Sequence, residues 1–223
     1  MQRTKHLLFI LFTVFLLSVS GLSSKTNFSV LGGITLPSNS LKNIFDSNQI
    51  PTQDTVTTIL NINYPDIGTG YSISAKLSLN LSENAVFWGG FSLIRFAKQE
   101  NRLNKPSDNS DKGFIESITT IYPLNAGINY YLYDGSFSLY GIGNLSYNFI
   151  NRAFNTDHSK ISLGIPVNSS DNRLGYGIGA GFEYPLRNVS LLIEGTYNQI
   201  NYIGANSGEE SKSLMNVQIG VKF

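Results

Sequence analysis

Seven connections that alternate long and short constrain this 223-residue chain more than any single motif. They separate eight segments of strand character: 27–36, 69–81, 85–96, 118–133, 137–149, 174–184, 189–202 and 213–223. The second is the clearest. There Tyr71, Ile73, Ala75, Leu77, Leu79 and Leu81 alternate with Ser72, Ser74, Lys76, Ser78 and Asn80, the period of a strand with one apolar and one polar face. The fourth repeats it, with Tyr122, Leu124, Ala126, Ile128, Tyr130 and Leu132 on one face. The third loses its alternation at Gly89-Gly90, where a bulge or kink is expected. Connections 37–68, 97–117, 150–173 and 203–212 are long and rich in Asn, Ser, Asp and Lys. Between them come the tight turns Ser82-Glu83-Asn84, Asp134-Gly135 and Arg187-Asn188, and Asp-Gly is a strong hairpin signal. The long connections therefore gather at one end of an antiparallel up-and-down sheet, and the turns and both chain ends at the other.

The last segment suggests where such a sheet resides. Phe223, Val221, Ile219, Val217 and Met215 alternate with Lys222, Gly220, Gln218 and Asn216 up to the final residue. A soluble protein protects a strand of this kind, because an exposed edge invites aggregation, whereas a closed barrel in a membrane has no edge. A soluble eight-stranded barrel of the lipocalin kind is the rival, with apolar side chains inside. Charge separates the two. A water-facing exterior should be dense in Lys and Glu, but the polar faces here carry mostly Ser, Asn, Thr and Gly, and the charges concentrate in the long connections. The chain also lacks the C-terminal helix and the cysteines common in lipocalins. The expected fold is therefore all-β, an eight-stranded antiparallel up-and-down transmembrane β-barrel with lipid outside and long extracellular loops opposite short periplasmic turns. Tyr130, Phe137, Tyr184 and Phe223 near the turns, and Tyr71, Tyr122, Tyr147, Phe149, Tyr176 and Tyr202 near the loops, fit two aromatic girdles.

The front of the chain supplies a matching export signal. Arg3 and Lys5 precede an apolar stretch, residues 7–19, and small residues follow, so residues 1–20 read as a signal peptide cleaved after Ser20, or alternatively after Ser23. The apolar run is about 13 residues, short of the ~20 that a membrane-spanning helix requires. Residues 21–223 then form the barrel. Loss of Arg3 and Lys5 lowers the basic side chains from 16 to 14, against 15 acidic ones. A near-neutral chain offers no basic stripe for phosphates, so nucleic acid is not an expected partner. Without cysteine the chain can be neither a disulfide-stapled module nor a lipoprotein.

Few side chains of the polar face carry chemistry. Lys76, Glu183, Glu194 and Lys222 fall on it in the half nearer the turns, and two cations and two anions in a narrow interior should pair as a lumen ion cluster. As a permanent plug they would fill an interior that is just wide enough for side chains; as a gate they would open a small pore. Gly175, Gly177, Gly179 and Gly181 form an inward stripe that makes room for Tyr140 and Ile142. Their spacing is wrong for a phosphate-binding loop, and no helix follows. After signal removal His158 is the only histidine, in Asp157-His158-Ser159. Adjacent side chains diverge, so this reads as a solvated loop and not a catalytic triad. No catalytic residue, metal site or cofactor is assigned: one His, no Cys and no calcium-loop spacing leave no ligand set.

Two stretches carry a family resemblance. GIGAGFEYPLRNVSLLIEGTYN (177–198) and IYPLNAGINYYLY (121–133), with the terminal VQIGVKF, resemble bacterial outer-membrane β-barrel domain proteins, a porin-family or OmpA/OmpX/OmpW-like barrel. The resemblance implies residence in outer-membrane lipid. It implies insertion by the outer-membrane barrel assembly machinery with periplasmic chaperones, Val217, Ile219, Gly220, Val221 and Phe223 serving as the assembly signal. The sequence departs from OmpA itself in lacking a C-terminal peptidoglycan-binding domain, so cell-wall tethering is not carried over. The expected role is that of a monomeric, non-enzymatic surface or structural barrel with a plugged lumen, and the alternative is a narrow channel for ions or small solutes.

Overall fold

The structure, a computed structural model, describes residues 26–38, 68–104, 111–157, 168–205 and 211–223. These form nine strands: β1 (Thr26–Pro37), β2 (Gly70–Asn80), β3 (Ala85–Phe96), β4 (Gln99–Asn104), β5 (Asp111–Asp134), β6 (Ser138–Asp157), β7 (Asn168–Leu186), β8 (Val189–Ile203) and β9 (Ser213–Lys222). Successive strands pair antiparallel, and β9 returns to β1. Both β3 and β4 lie along β5, so together they make one wall of a closed eight-stranded barrel. Closure satisfies the backbone of every wall within the sheet, which lipid cannot do.

The outward and inward faces follow the period of two. Val30, Ile34, Tyr71, Ile73, Phe91, Leu124, Ile128, Tyr130, Leu145, Ile178, Tyr184, Met215, Ile219 and Phe223 are exposed on the outside. Ser29, Thr35, Ser72, Ser74, Asn129, Ser146, Asn148, Asn216 and Gln218 are buried in the lumen. An apolar belt of this extent has no place in water and is the surface that a hydrocarbon layer solvates.

The bulge expected at Gly89-Gly90 lies elsewhere. The β2–β3 ladder runs unbroken from Gly70↔Phe96 to Asn80↔Val86, and β3 keeps one register on β5 from Ala85↔Tyr130 to Arg95↔Thr120. The slip comes later, between Arg95↔Thr120 and Gln99↔Ser117, where four residues of one wall span three of the other. The alternation fails in β3 because both faces are apolar: Trp88, Ile94 and Phe96 are buried in the lumen opposite Phe87, Phe91 and Leu93. Gly90 faces inward, where a Cβ would lie 2.5 Å from the Ala75 carbonyl oxygen and 3.2 Å from Lys76 Cγ. The bare backbone leaves that room to the lysine stem.

Connections 97–117 and 150–173 also differ from expectation, because they hold much strand. β4 and the first residues of β5 pair through Gln99↔Ser117 to Asn104↔Asp111, and β5 pairs with β6 as far as Phe114↔Asp157. In these stretches polar residues prevail and no sustained alternation of apolar and polar positions marks a strand in the sequence, although the backbone ladder continues. The Asp134-Gly135 hairpin likewise occupies three residues, Gly135 to Phe137, with Gly135 N–H donating to the Phe137 carbonyl at 3.0 Å. Arg187-Asn188 is a two-residue turn, with Arg187 at φ 36°.

The seam between the first and last strands pairs Ser29↔Lys222 through Pro37↔Leu214. Phe223 and Phe28 exchange backbone hydrogen bonds at 2.8 and 3.3 Å, and their rings stack with centroids 6.5 Å apart.

Candidate functional site in the lumen

The lumen is layered along its axis. At the loop end Ile94, Phe96, Ile121, Ile150, Ile200 and Leu214, from five different strands, form one buried apolar cluster. Below it lies a polar cavity with about 40 Å³ of room for water centres, bounded above by Ile94, Ile200 and Leu214 and below by Lys76, Trp88 and Glu194. Its walls are Ser and Asn side chains already bonded to one another. Ser74 and Ser92 hydroxyls are 2.9 Å apart, Gln218 Nε2 donates to Ser72 Oγ at 3.0 Å and Ser74 Oγ at 2.9 Å, and Asn148 Nδ2 donates to Ser146 Oγ at 3.0 Å.

The floor of this cavity is an ion pair. Lys76 Nζ contacts Glu194 Oε2, and Tyr140 O–H donates to Glu194 Oε1 at 3.1 Å, so both carboxylate oxygens are engaged. The ammonium also sits 4.5 Å from the centroid of the Trp88 ring, a cation–π contact that offsets part of its desolvation. Trp88 Nε1–H donates to Asn129 Oδ1 at 2.8 Å, which fixes the indole in place. Glu194 is 2% exposed, so the pair is withdrawn from bulk water and relies on these contacts. Gly181 pairs with Glu194 in the ladder, and a Cβ on it would fall 2.3 Å from the Tyr140 ring. Of the β7 glycine stripe, Gly181 thus admits Tyr140 as expected, whereas a Cβ at Gly175, Gly177 or Gly179 would first meet Gln199, Asn198 or Gly195 and not Ile142.

A second, smaller cavity of about 20 Å³ lies on the turn side of the same pair and is also lined by Lys76, Tyr140 and Glu194. It ends at Glu183, whose Oε1 contacts Lys222 Nζ and whose Oε2 accepts from Tyr131 O–H at 2.9 Å. The structure thus joins the four ionisable residues as two separate pairs, Lys76–Glu194 and Glu183–Lys222. Tyr131, Asn129 and Trp88 complete the site, and sequence reading did not place them in it. The phase of the fourth segment could have found Tyr131 and Asn129, which fall between its outward residues; nothing in β3 marked Trp88. Val217, Ile219, Val221 and Phe223 lie on the outer face of β9 and Gly220 on the inner. His158 and Ser159 lie outside the described residues, and Asp157 ends β6. Among the described residues, no three His, Cys, Asp or Glu side chains gather as metal ligands.

A closed antiparallel barrel, oily outside and polar within, defines an integral β-barrel membrane protein. The chain belongs to the outer membrane protein beta-barrel domain family, whose model matches residues 9–223. Among solved structures it is similar to Neisserial surface protein A, with a TM-score of 0.53 and 15% identity over 90% of this chain and 98% of that one. It is also similar to a major outer membrane protein from Thermus thermophilus, with a TM-score of 0.53 and 13% identity over 89% and 98% of the two chains. Identities this low establish a shared barrel fold. A comparison with curated proteins gave no match.

Proposed function

We propose that this outer-membrane barrel serves a structural or surface-interaction role, without enzymatic activity, and that its lumen is blocked by its own side chains. The observation that carries this reading is the layered interior. Two ion pairs and an apolar cluster interrupt the axis, and the spaces left between them hold about 40 and 20 Å³, room for a few waters and not for a solute. An interior of eight strands is of the width that side chains fill. In the same reading residues 1–20 are removed on export, periplasmic chaperones and the assembly machinery deliver the chain by way of Val217, Ile219, Gly220, Val221 and Phe223, and the product is a monomer in outer-membrane lipid.

A second reading, a narrow channel for ions or small solutes, has one observation in its favour. Both cavities abut Lys76–Glu194, so a rotamer change of that pair would connect them. Planar-bilayer recording of refolded protein separates the two. The blocked barrel gives no reproducible unitary current; steady currents altered by Glu194→Gln or Lys76→Met establish the channel.

A further inference from the structure

We infer that the outer seal of the lumen is the apolar cluster at its loop end, and that it cuts the polar, water-holding cavity beneath it off from the loop side. This rests on the blocked-lumen reading and deepens it, because it assigns the barrier facing the loops to Ile94, Phe96, Ile121, Ile150, Ile200 and Leu214 and not to the ion pairs.

The geometry argues for the cluster on three grounds. Its six side chains come from β3, β5, β6, β8 and β9, so they meet across the barrel axis and do not line a single wall. All are at most 4% exposed, and Ile121 is 0% exposed. A path for water past them would leave some of that surface wet. An apolar constriction also resists ions in a different way from an ion pair. It offers no hydrogen bonds to a hydrated ion and stays dry, whereas a Lys–Glu pair can exchange partners with water. Beneath the cluster the chemistry reverses, as Ser74, Ser92, Asn125, Asn144, Thr196 and Asn198 turn hydroxyls and amides toward the cavity. A polar cavity of about 40 Å³ exceeds the ~10–15 Å³ needed per water centre and holds a small group of waters. These have the floor pair below and hydrocarbon above.

The sequence contains no cysteine, which allows a direct test. Ser92 lines the compartment and is nearly isosteric with Cys, so Ser92→Cys places one thiol below the seal. A trimethylammonium-bearing methanethiosulfonate is applied to the refolded full chain in detergent, and Ser211→Cys, at an exposed position, serves as the reference. The expected result is labelling of Ser92→Cys at least ~100-fold slower than of Ser211→Cys, because reaction then awaits a local opening. Leu214→Ser in the Ser92→Cys background should restore most of that rate. Labelling of Ser92→Cys at the reference rate overturns the inference, even if Leu214→Ser proves unable to fold. The outcomes distinguish the two levels. Fast labelling without bilayer current removes the apolar seal and leaves the blocked lumen standing, whereas fast labelling with current removes both.

Discussion

Glu194→Ala is expected to lower the unfolding free energy of the barrel by about 3–5 kcal/mol, because it leaves the Lys76 ammonium buried without its counter-charge. The lumen around that ammonium offers little replacement. The Trp88 face at 4.5 Å and the small adjoining cavities carry no free counter-charge among the described residues, and Tyr140 loses its acceptor at the same time. A double replacement, Lys76→Met with Glu194→Leu, removes both charges and should recover most of the loss, since a buried ion pair exchanged for hydrocarbon of similar volume is often neutral or stabilising. Glu183→Ala should cost less, because the Lys222 side chain remains 21% exposed and keeps part of its hydration. Reversible urea unfolding in lipid vesicles, followed by tryptophan emission, measures all of these. Equal losses at Glu194 and Glu183 would contradict the ranking by burial.

The second large effect lies at the seam that closes the cylinder. A Cβ at Gly33 would stand 1.9 Å from the Val217 carbonyl oxygen, and one at Gly220 would stand 2.2 Å from the Val30 carbonyl oxygen. Both obstacles are backbone, so relief requires β1 and β9 to separate. Gly33→Val and Gly220→Val should each cost on the order of 3 kcal/mol and reduce the yield of heat-modifiable folded barrel in gel migration. Gly143→Ala is the matched control: its Cβ would meet nothing within 4 Å on the outer face, and a change within about 0.5 kcal/mol is expected. Gly220 also belongs to the proposed assembly signal. Loss of folding by purified Gly220→Val, with no assembly machinery present, would assign the need for glycine there to strand packing and not to recognition.

How much of this was legible in the sequence depended on contrast between the two faces of each strand. In β2, where Ser72, Ser74, Lys76 and Ser78 face in and Tyr71, Ile73 and Ala75 face out, both the strand and its faces were readable. The ionisable residues were readable for the same reason, since Lys76, Glu183, Glu194 and Lys222 shared the inward phase. Their division into two pairs was not, because partner choice depends on the stagger between strands that are not neighbours: Lys76 and Glu194 lie on β2 and β8. In β3 the contrast vanished because Trp88, Ile94 and Phe96 are apolar and yet inward, and with it vanished any sign of the apolar cluster. Above the belt it vanished as well. The outer parts of β5, β6 and β7 lack a sustained period of two in the sequence and read as loops until backbone pairing showed them to be strands.

Trp88 is the sequence's only tryptophan, and it is buried inside the barrel, where both the orientation of the sheet's faces and the proposed seal bear on it. Its fluorescence in vesicles is therefore the most direct measurement. Acyl chains brominated at mid-depth and aqueous acrylamide should each quench it weakly, and its emission should lie to the blue of the unfolded chain. Strong quenching by the brominated lipid would place the indole on the outer face and invert the barrel's two surfaces. Strong quenching by acrylamide would mean that the interior stands open to water.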